Sequence, residues 1–158
     1  MLDRAYISGP LMAAKDLESM KTLYSFIAKI CCENGLNAYL PHNNTDPTKD
    51  INISDDEVFH KDYFEMVNSS LVISYIGEPS LGVGAELSIC VSKNIPIVTI
   101  NETNQKVSRF LKGMLKSSDN VYSMEYDSKE ELQQKLGNYL QFFSSLQRNI
   151  GISERSSG

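Results

Sequence analysis

Apolar and polar positions along this chain switch repeatedly between a period of two and a period near three and a half. Ala5-Tyr6-Ile7-Ser8 reads as a short strand closed by Gly9-Pro10. From about Ala13 to Asn34 the apolar residues Leu17, Met20, Leu23, Tyr24, Ile27 and Ile30 or Cys31 recur at spacings of three and four. That spacing predicts an amphipathic helix, with Gly35 as its C′ stop. Asn37-Ala38-Tyr39-Leu40 is a second strand, ended by Pro41. Residues 42–54 are polar and rich in Asn, Asp and Pro, and predict a long loop of the kind that often carries function. Ser54-Asp55-Asp56-Glu57 has the form of an N-cap and acidic first turn, opening a helix to about Asn68 with Val58, Phe59, Phe64 and Val67 apolar. The run Leu71-Val72-Ile73-Ser74-Tyr75-Ile76 predicts a buried third strand. A turn of small residues then leads into a helix from Ala85 to about Lys93. Asn94-Ile95-Pro96 turns into strand four, Ile97-Val98-Thr99-Ile100. A helix over about 105–116, a short strand Val121-Tyr122-Ser123-Met124 and a helix from about Lys129 to Leu146 complete the pattern, which contains no internal repeat.

Strands alternating with helices predict an α/β protein: a single domain over residues 1–148, with a doubly wound five-stranded parallel sheet, Rossmann- or flavodoxin-like, in the order 2-1-3-4-5. The polar residues 149–158 are expected to form a disordered tail. In that order the switch point lies between strands one and three, and ligands bind outside the carboxyl ends of the strands there. Tyr6, Ser8, Gly9 and Pro10 approach this crevice from one side, and the segment Ser80 to Glu86 from the other.

Composition narrows the partners. With 158 residues, 41% hydrophobic and 22% charged, the chain is long enough for one domain with a real core. Its net charge of −5 and the lack of a basic block argue against a nucleic-acid polymer or an anionic membrane surface. No apolar run approaches the roughly 20 residues of a membrane span. Met1-Leu2-Asp3-Arg4 leads directly into the first strand without a signal-peptide core, so a cytoplasmic location is expected. Cys31, Cys32 and Cys90 then read as reduced thiols. His42 and His60 are the only histidines, and neither has a ligand partner at helical spacing, so no metal and no cofactor are expected.

The candidate chemistry centres on Gly77-Glu78-Pro79-Ser80-Leu81-Gly82-Val83-Gly84-Ala85-Glu86-Leu87, a strand-turn-helix junction. Gly82 and Gly84 allow close backbone approach to a ligand, and the free N–H groups of a first helical turn favour an anion. Glu86 can serve there as a helix-dipole partner or as a site carboxylate. The helix before strand three brings Phe59-His60-Lys61-Asp62-Tyr63-Phe64 to the same end of the sheet, which makes Asp62 a second candidate carboxyl, although a helical Asp is more often solvated structure and a strand Tyr more often core. Two carboxyls and a tyrosine suit glycosyl chemistry: one stabilises or attacks the anomeric carbon, and the other delivers a proton to the leaving group. His42 is either a solvent-facing loop residue or a contact to base or phosphate. Asn43, Asn44 and Asp46 are able to read a base edge.

Tyr6-Ile7-Ser8-Gly9-Pro10, Asp62 ahead of Ser70-Leu71-Val72-Ile73, and Pro79-Ser80-Leu81-Gly82-Val83-Gly84-Ala85-Glu86-Leu87 together resemble the nucleoside 2-deoxyribosyltransferase superfamily, over nearly all of residues 3–147. The last segment is the most specific, and is similar to the branch of 2′-deoxynucleoside 5′-monophosphate N-hydrolases and hydrolases of cytidine monophosphates. The resemblance implies that Glu86 is the nucleophile, that Asp62 handles the proton on the base, and that Tyr6 orients the nucleophile. It further implies that Ser80 and the N–H groups around Gly82 cradle a 5′-phosphate. Val107-Ser108-Arg109-Phe110-Leu111-Lys112-Gly113 resembles a segment whose serine reaches a neighbouring subunit's phosphate, which implies a homodimer or higher oligomer sharing its sites through Ser108. The chain departs from the N-hydrolases after strand one. Pro10-Leu11-Met12-Ala13-Ala14-Lys15 stands where they have an Arg/Gly-rich phosphate loop, and Gly9-Pro10 is more like the transferases.

Three functions follow as expectations: hydrolysis of the N-glycosidic bond of a nucleotide, which is favoured; deoxyribosyl transfer between bases on the same Glu86; and a non-catalytic nucleotide-binding module. A glycohydrolase acting on NAD is a variant of the first. Retention of Tyr6, Asp62 and Glu86 together argues against the inert module.

Overall fold

The computed structural model describes residues 3–12, 14–44 and 52–155, with side chains up to residue 148. Five strands, β1 (Arg4–Ser8), β2 (Asn37–Tyr39), β3 (Leu71–Tyr75), β4 (Ile97–Glu102) and β5 (Val121–Tyr126), form one sheet in the order β2-β1-β3-β4-β5, and every pairing is parallel. The helices are α1 (Leu17–Glu33), α2 (Asp55–Val67), α3 (Leu81–Ser92), α4 (Arg109–Lys116) and α5 (Lys129–Arg155). The fold class and strand order are those that the alternation of periods predicts.

Period-two alternation divides the core into two layers. Ala5, Ile7, Leu71, Ile73, Val98 and Ile100 pack with α1 and α5, through Leu23, Ile27, Leu132 and Leu136. Tyr6, Val72 and Ile97 face the other way, against Met66 of α2, Val83 and Leu87 of α3 and Leu115 of α4. Ser8, Ser74 and Thr99 follow Tyr6, Val72 and Ile97 by two residues on their strands. The strand period therefore turns these hydroxyls towards α2, α3 and α4 as well.

Helix ends follow the local signals. Ser54 caps α2 with Glu57 in a capping box, and Gly35 adopts a φ of +82° past the end of α1. Several boundaries differ from the pattern. Helix α1 starts at Leu17 rather than near Ala13, because the Asp16 side chain accepts the Ser19 N–H and sets the cap there. Helix α3 starts at Leu81 rather than Ala85, because Ser80 is its N-cap and Gly82 and Gly84 are already helical. Likewise α4 starts at Arg109 behind the Ser108 cap. Helix α5 continues to Arg155, past the expected end near Leu146; of the expected tail, 156–158 lie outside the described residues. So does Asp46. Part of the predicted long loop is ordered as a 3₁₀ turn, Pro41–Asn43, which buries His42.

Candidate active site

The crevice between β1 and β3 is closed by the first turns of α3. Glu86, one turn into that helix, points its carboxylate back at the sheet. Tyr6 Oη donates to Glu86 Oε1 at 2.8 Å, and Ser8 Oγ donates to Oε2 at 2.6 Å. Both donors come from β1, two residues apart, so they share a face of the strand. Ser74 Oγ, the in-register neighbour of Ser8 on β3, donates to Ser8 Oγ at 3.3 Å. Tyr6, Ser8 and Ser74 are fully buried. Burial pushes the Glu86 carboxyl above the usual carboxylate range, against the lowering effect of the Ser8 and Tyr6 hydrogen bonds, and the Asp62 charge adds to the rise. Burial and the Glu86 and Asp62 charges together hold the Tyr6 phenol protonated, so it remains a donor.

Asp62 is held separately. Tyr39 Oη, from the last residue of edge strand β2, donates to Asp62 Oδ1 at 3.2 Å. Tyr39 pairs in register with Tyr6, and their rings stack with centroids 5.6 Å apart and planes 14° from parallel. The result is two carboxylates, each gripped by a tyrosine, with the two tyrosines in contact. One carboxylate lies on α3 and the other on α2.

The N-terminus of α3 lies beside this pair. Ser80 Oγ accepts the Val83 N–H at 3.3 Å, and the first intrahelical bond runs from Gly84 N to Ser80 O at 3.1 Å. The N–H groups of Leu81 and Gly82 precede that bond and are the ones that helix geometry leaves for a ligand; Gly84 spends its own within the helix. A Cβ at Gly84 meets nothing within 4 Å, and one at Gly82 only Ser80 Oγ at 3.8 Å, so packing within the chain requires neither glycine. A cavity of about 550 Å³ opens between the starts of α3 and α4, lined by Ser80, Leu81, Gly84, Lys106, Ser108 and Phe110 among others. Its lining includes none of Tyr6, Asp62 and Glu86.

Gly9, Pro10 and His42 make contacts within the chain. A Cβ on Gly9 would lie 2.3 Å from the Tyr24 ring, whose hydroxyl donates to Pro10 O at 2.8 Å. His42 is buried rather than in solvent, with its ring centroid 6.0 Å from that of Tyr24. Among the described residues no group of three His, Cys, Asp or Glu side chains could hold a metal ion, and no helix is long and apolar enough to cross a membrane.

No family model matches the chain. A provisionally named 2′-deoxynucleoside 5′-phosphate N-hydrolase 1 of Methanococcoides burtonii is 22% identical over 112 residues, which are 70% of this chain and 89% of that protein. The solved structure of a CMP N-glycosidase of Clostridium botulinum superposes with a TM-score of 0.65 at 21% identity, covering 87% of this chain and 99% of that one. A 2-deoxyribosyltransferase of Bacillus psychrosaccharolyticus superposes with a TM-score of 0.59 at 14% identity, covering 82% and 90%. The fold is the one that these two solved structures share.

Two site residues escape a sequence reading even with the superfamily pattern in hand. Tyr39 reads as an ordinary strand aromatic; its position at the carboxyl end of β2, next to Tyr6, is the only local hint. Ser74 interrupts an otherwise apolar buried strand. A buried hydroxyl carries a desolvation cost unless it is bonded, and that cost is the signal. Ser8, expected among the substrate-binding residues, donates to Glu86.

Proposed function

We propose that this protein hydrolyses the N-glycosidic bond of a (deoxy)nucleoside 5′-monophosphate, releasing the free base and (deoxy)ribose 5-phosphate. The observation that carries the reading is the part-buried Glu86 carboxylate, fixed by Tyr6 and Ser8 one turn from a helix N-terminus, with a second carboxyl, Asp62, held by Tyr39. In this reading Glu86 forms a bond to the anomeric carbon as the bond to the base nitrogen breaks. Asp62 gives its proton to the departing base. Water then attacks the same carbon and gives up a proton to the Asp62 carboxylate as the glycosyl ester bond breaks, which returns Glu86 to the carboxylate and Asp62 to the acid. Ser80 and the Leu81 and Gly82 N–H groups anchor the phosphate, which locates the sugar carbon against Glu86.

The phosphate decides between this reading and base exchange. Two or three charge-assisted hydrogen bonds of roughly 1.5–3 kcal/mol each give 5′-monophosphates about a hundredfold or greater advantage in kcat/KM over the matching nucleosides. Chromatography of released base across a panel of both, with and without an acceptor base, measures it, and Ser80→Ala narrows the gap. Equal cleavage of nucleosides, with a new nucleoside formed from the added base, would establish transfer instead. Transfer is favoured by one feature, the Gly9-Pro10 turn in place of an Arg-rich loop.

The proposal extends to assembly. Leu81 and Phe110, 96% and 86% exposed, flank the cavity that holds Ser80 and Ser108. Exposed apolar side chains at such a mouth suit a second copy of the chain, related by a two-fold axis. Sedimentation at micromolar concentration is expected to give at least a dimer, and Phe110→Glu to dissociate it with loss of activity. A fully active monomer would remove any shared site.

A further inference from the structure

Across the sheet, at the level of Glu86, four hydroxyl residues stand in register on four neighbouring strands: Ser8 opposite Ser74, Ser74 opposite Thr99, and Thr99 opposite Ser123. Ser8, Ser74 and Thr99 are buried. Each buried hydroxyl occupies a place where valine would contribute more to the core, so a polar row here needs a reason. Thr99 donates to Ser123 at 2.9 Å, towards the edge. Ser74 points its proton the other way, to Ser8, and Ser8 passes its own to Glu86. A hydroxyl has one proton to give. With Ser74 occupying an acceptor position on Ser8 Oγ, the Ser8 proton is directed at Glu86 Oε2.

We propose that Ser8, itself oriented by Ser74, is a positioning residue that fixes the Glu86 carboxylate in its ionised, forward-facing form. The proposal rests on the reading of Glu86 as the nucleophile. Tyr6 alone would grip one oxygen and leave the carboxylate free to turn about its last torsion. A second donor on the other oxygen locks the plane, and both bonds strengthen when the carboxylate is charged. The opposing influences are burial and the charge of Asp62 on α2. The other titratable groups that feel Glu86 are Tyr6 on β1, Tyr24 on α1 and Cys90 on α3.

The test follows the Glu86 carboxyl directly. Protein labelled with ¹³C at glutamate side-chain carboxyls is titrated by NMR, with the Glu86 signal assigned from its loss in Glu86→Gln. Because Asp62 is coupled to Glu86, the signal is read at the Glu86 carbon itself. Glu86 is expected to titrate at higher pH in Ser8→Ala than in the wild type, with a smaller rise in Ser74→Ala. Ser8→Cys, which keeps the volume but offers a weak donor, falls between wild type and Ser8→Ala. The acid limb of kcat/KM for base release moves the same way, and kcat/KM at fixed pH falls about tenfold to a hundredfold in Ser8→Ala. An unmoved Glu86 titration in folded Ser8→Ala overturns the proposal, whatever happens to the rate. If wild-type protein releases no base from any nucleotide, the glycosidase reading fails, and the NMR result still decides whether Ser8 holds Glu86.

Discussion

Glu86→Gln is expected to lose at least about a thousandfold in base release while melting at a higher temperature near neutral pH. The loss follows because an amide cannot form the glycosyl ester through which the proposed reaction runs. The gain follows from burial. Folding raises the Glu86 pKa above its unfolded value. A carboxyl raised in this way contributes most favourably below its unfolded pKa, where both states are protonated, and that contribution is lost as the pH rises through the folded value. Near neutrality the wild type therefore carries the cost of a desolvated charge, and the glutamine does not. Its amide oxygen accepts from one hydroxyl and its nitrogen donates to the other, which must turn its own proton away from residue 86. Calorimetric melting of both proteins from neutral pH down through the ordinary carboxylate range checks this. The difference in Tm should be greatest at the neutral end and vanish at the acid end. A glutamine variant with near-normal turnover would remove Glu86 from the chemistry.

Asp62→Asn is expected to lose roughly a hundredfold to ten-thousandfold with ordinary bases, and far less with a base that leaves readily without a proton, such as a positively charged N-alkylated purine. General acid catalysis matters only where the leaving group needs protonation, so the size of the loss must depend on the base. Tyr39→Phe, which keeps the stack on Tyr6 but removes the 3.2 Å bond to Asp62, should show the same dependence at smaller amplitude. Rates for a series of 5′-monophosphates with graded leaving groups measure both. A loss that is uniform across the series would assign Asp62 to structure rather than proton transfer.

The amino-acid sequence alone determined the elements and their order. Strand and helix periods, the Gly35 stop and the Ser54 cap are short-range signals, complete within a few residues. Alternation of strand and helix then leaves little choice but a parallel, doubly wound sheet. The same local logic brought Glu86 to the start of a helix after a buried strand, although it misplaced that start, because Gly82 and Gly84 read as turn when Ser80 had already capped the helix. The pairings that make a site were decided by the tertiary structure. Tyr6 and Ser8 meet Glu86 across 80 and 78 residues, Ser74 meets Ser8 across 66, and Tyr39 meets Asp62 across 23. These contacts depend on strand order and register, and a slip of one residue would turn every side chain of a strand to the other face of the sheet. Burial is decided in the same way. His42 lies in a polar stretch that reads as exposed loop, yet a 3₁₀ turn tucks it in beside Tyr24. Periodicity reports which face of an element is apolar; only the packed chain settles which polar groups that face encloses, because an enclosed hydroxyl or carboxylate is tolerated only where distant partners arrive to bond it.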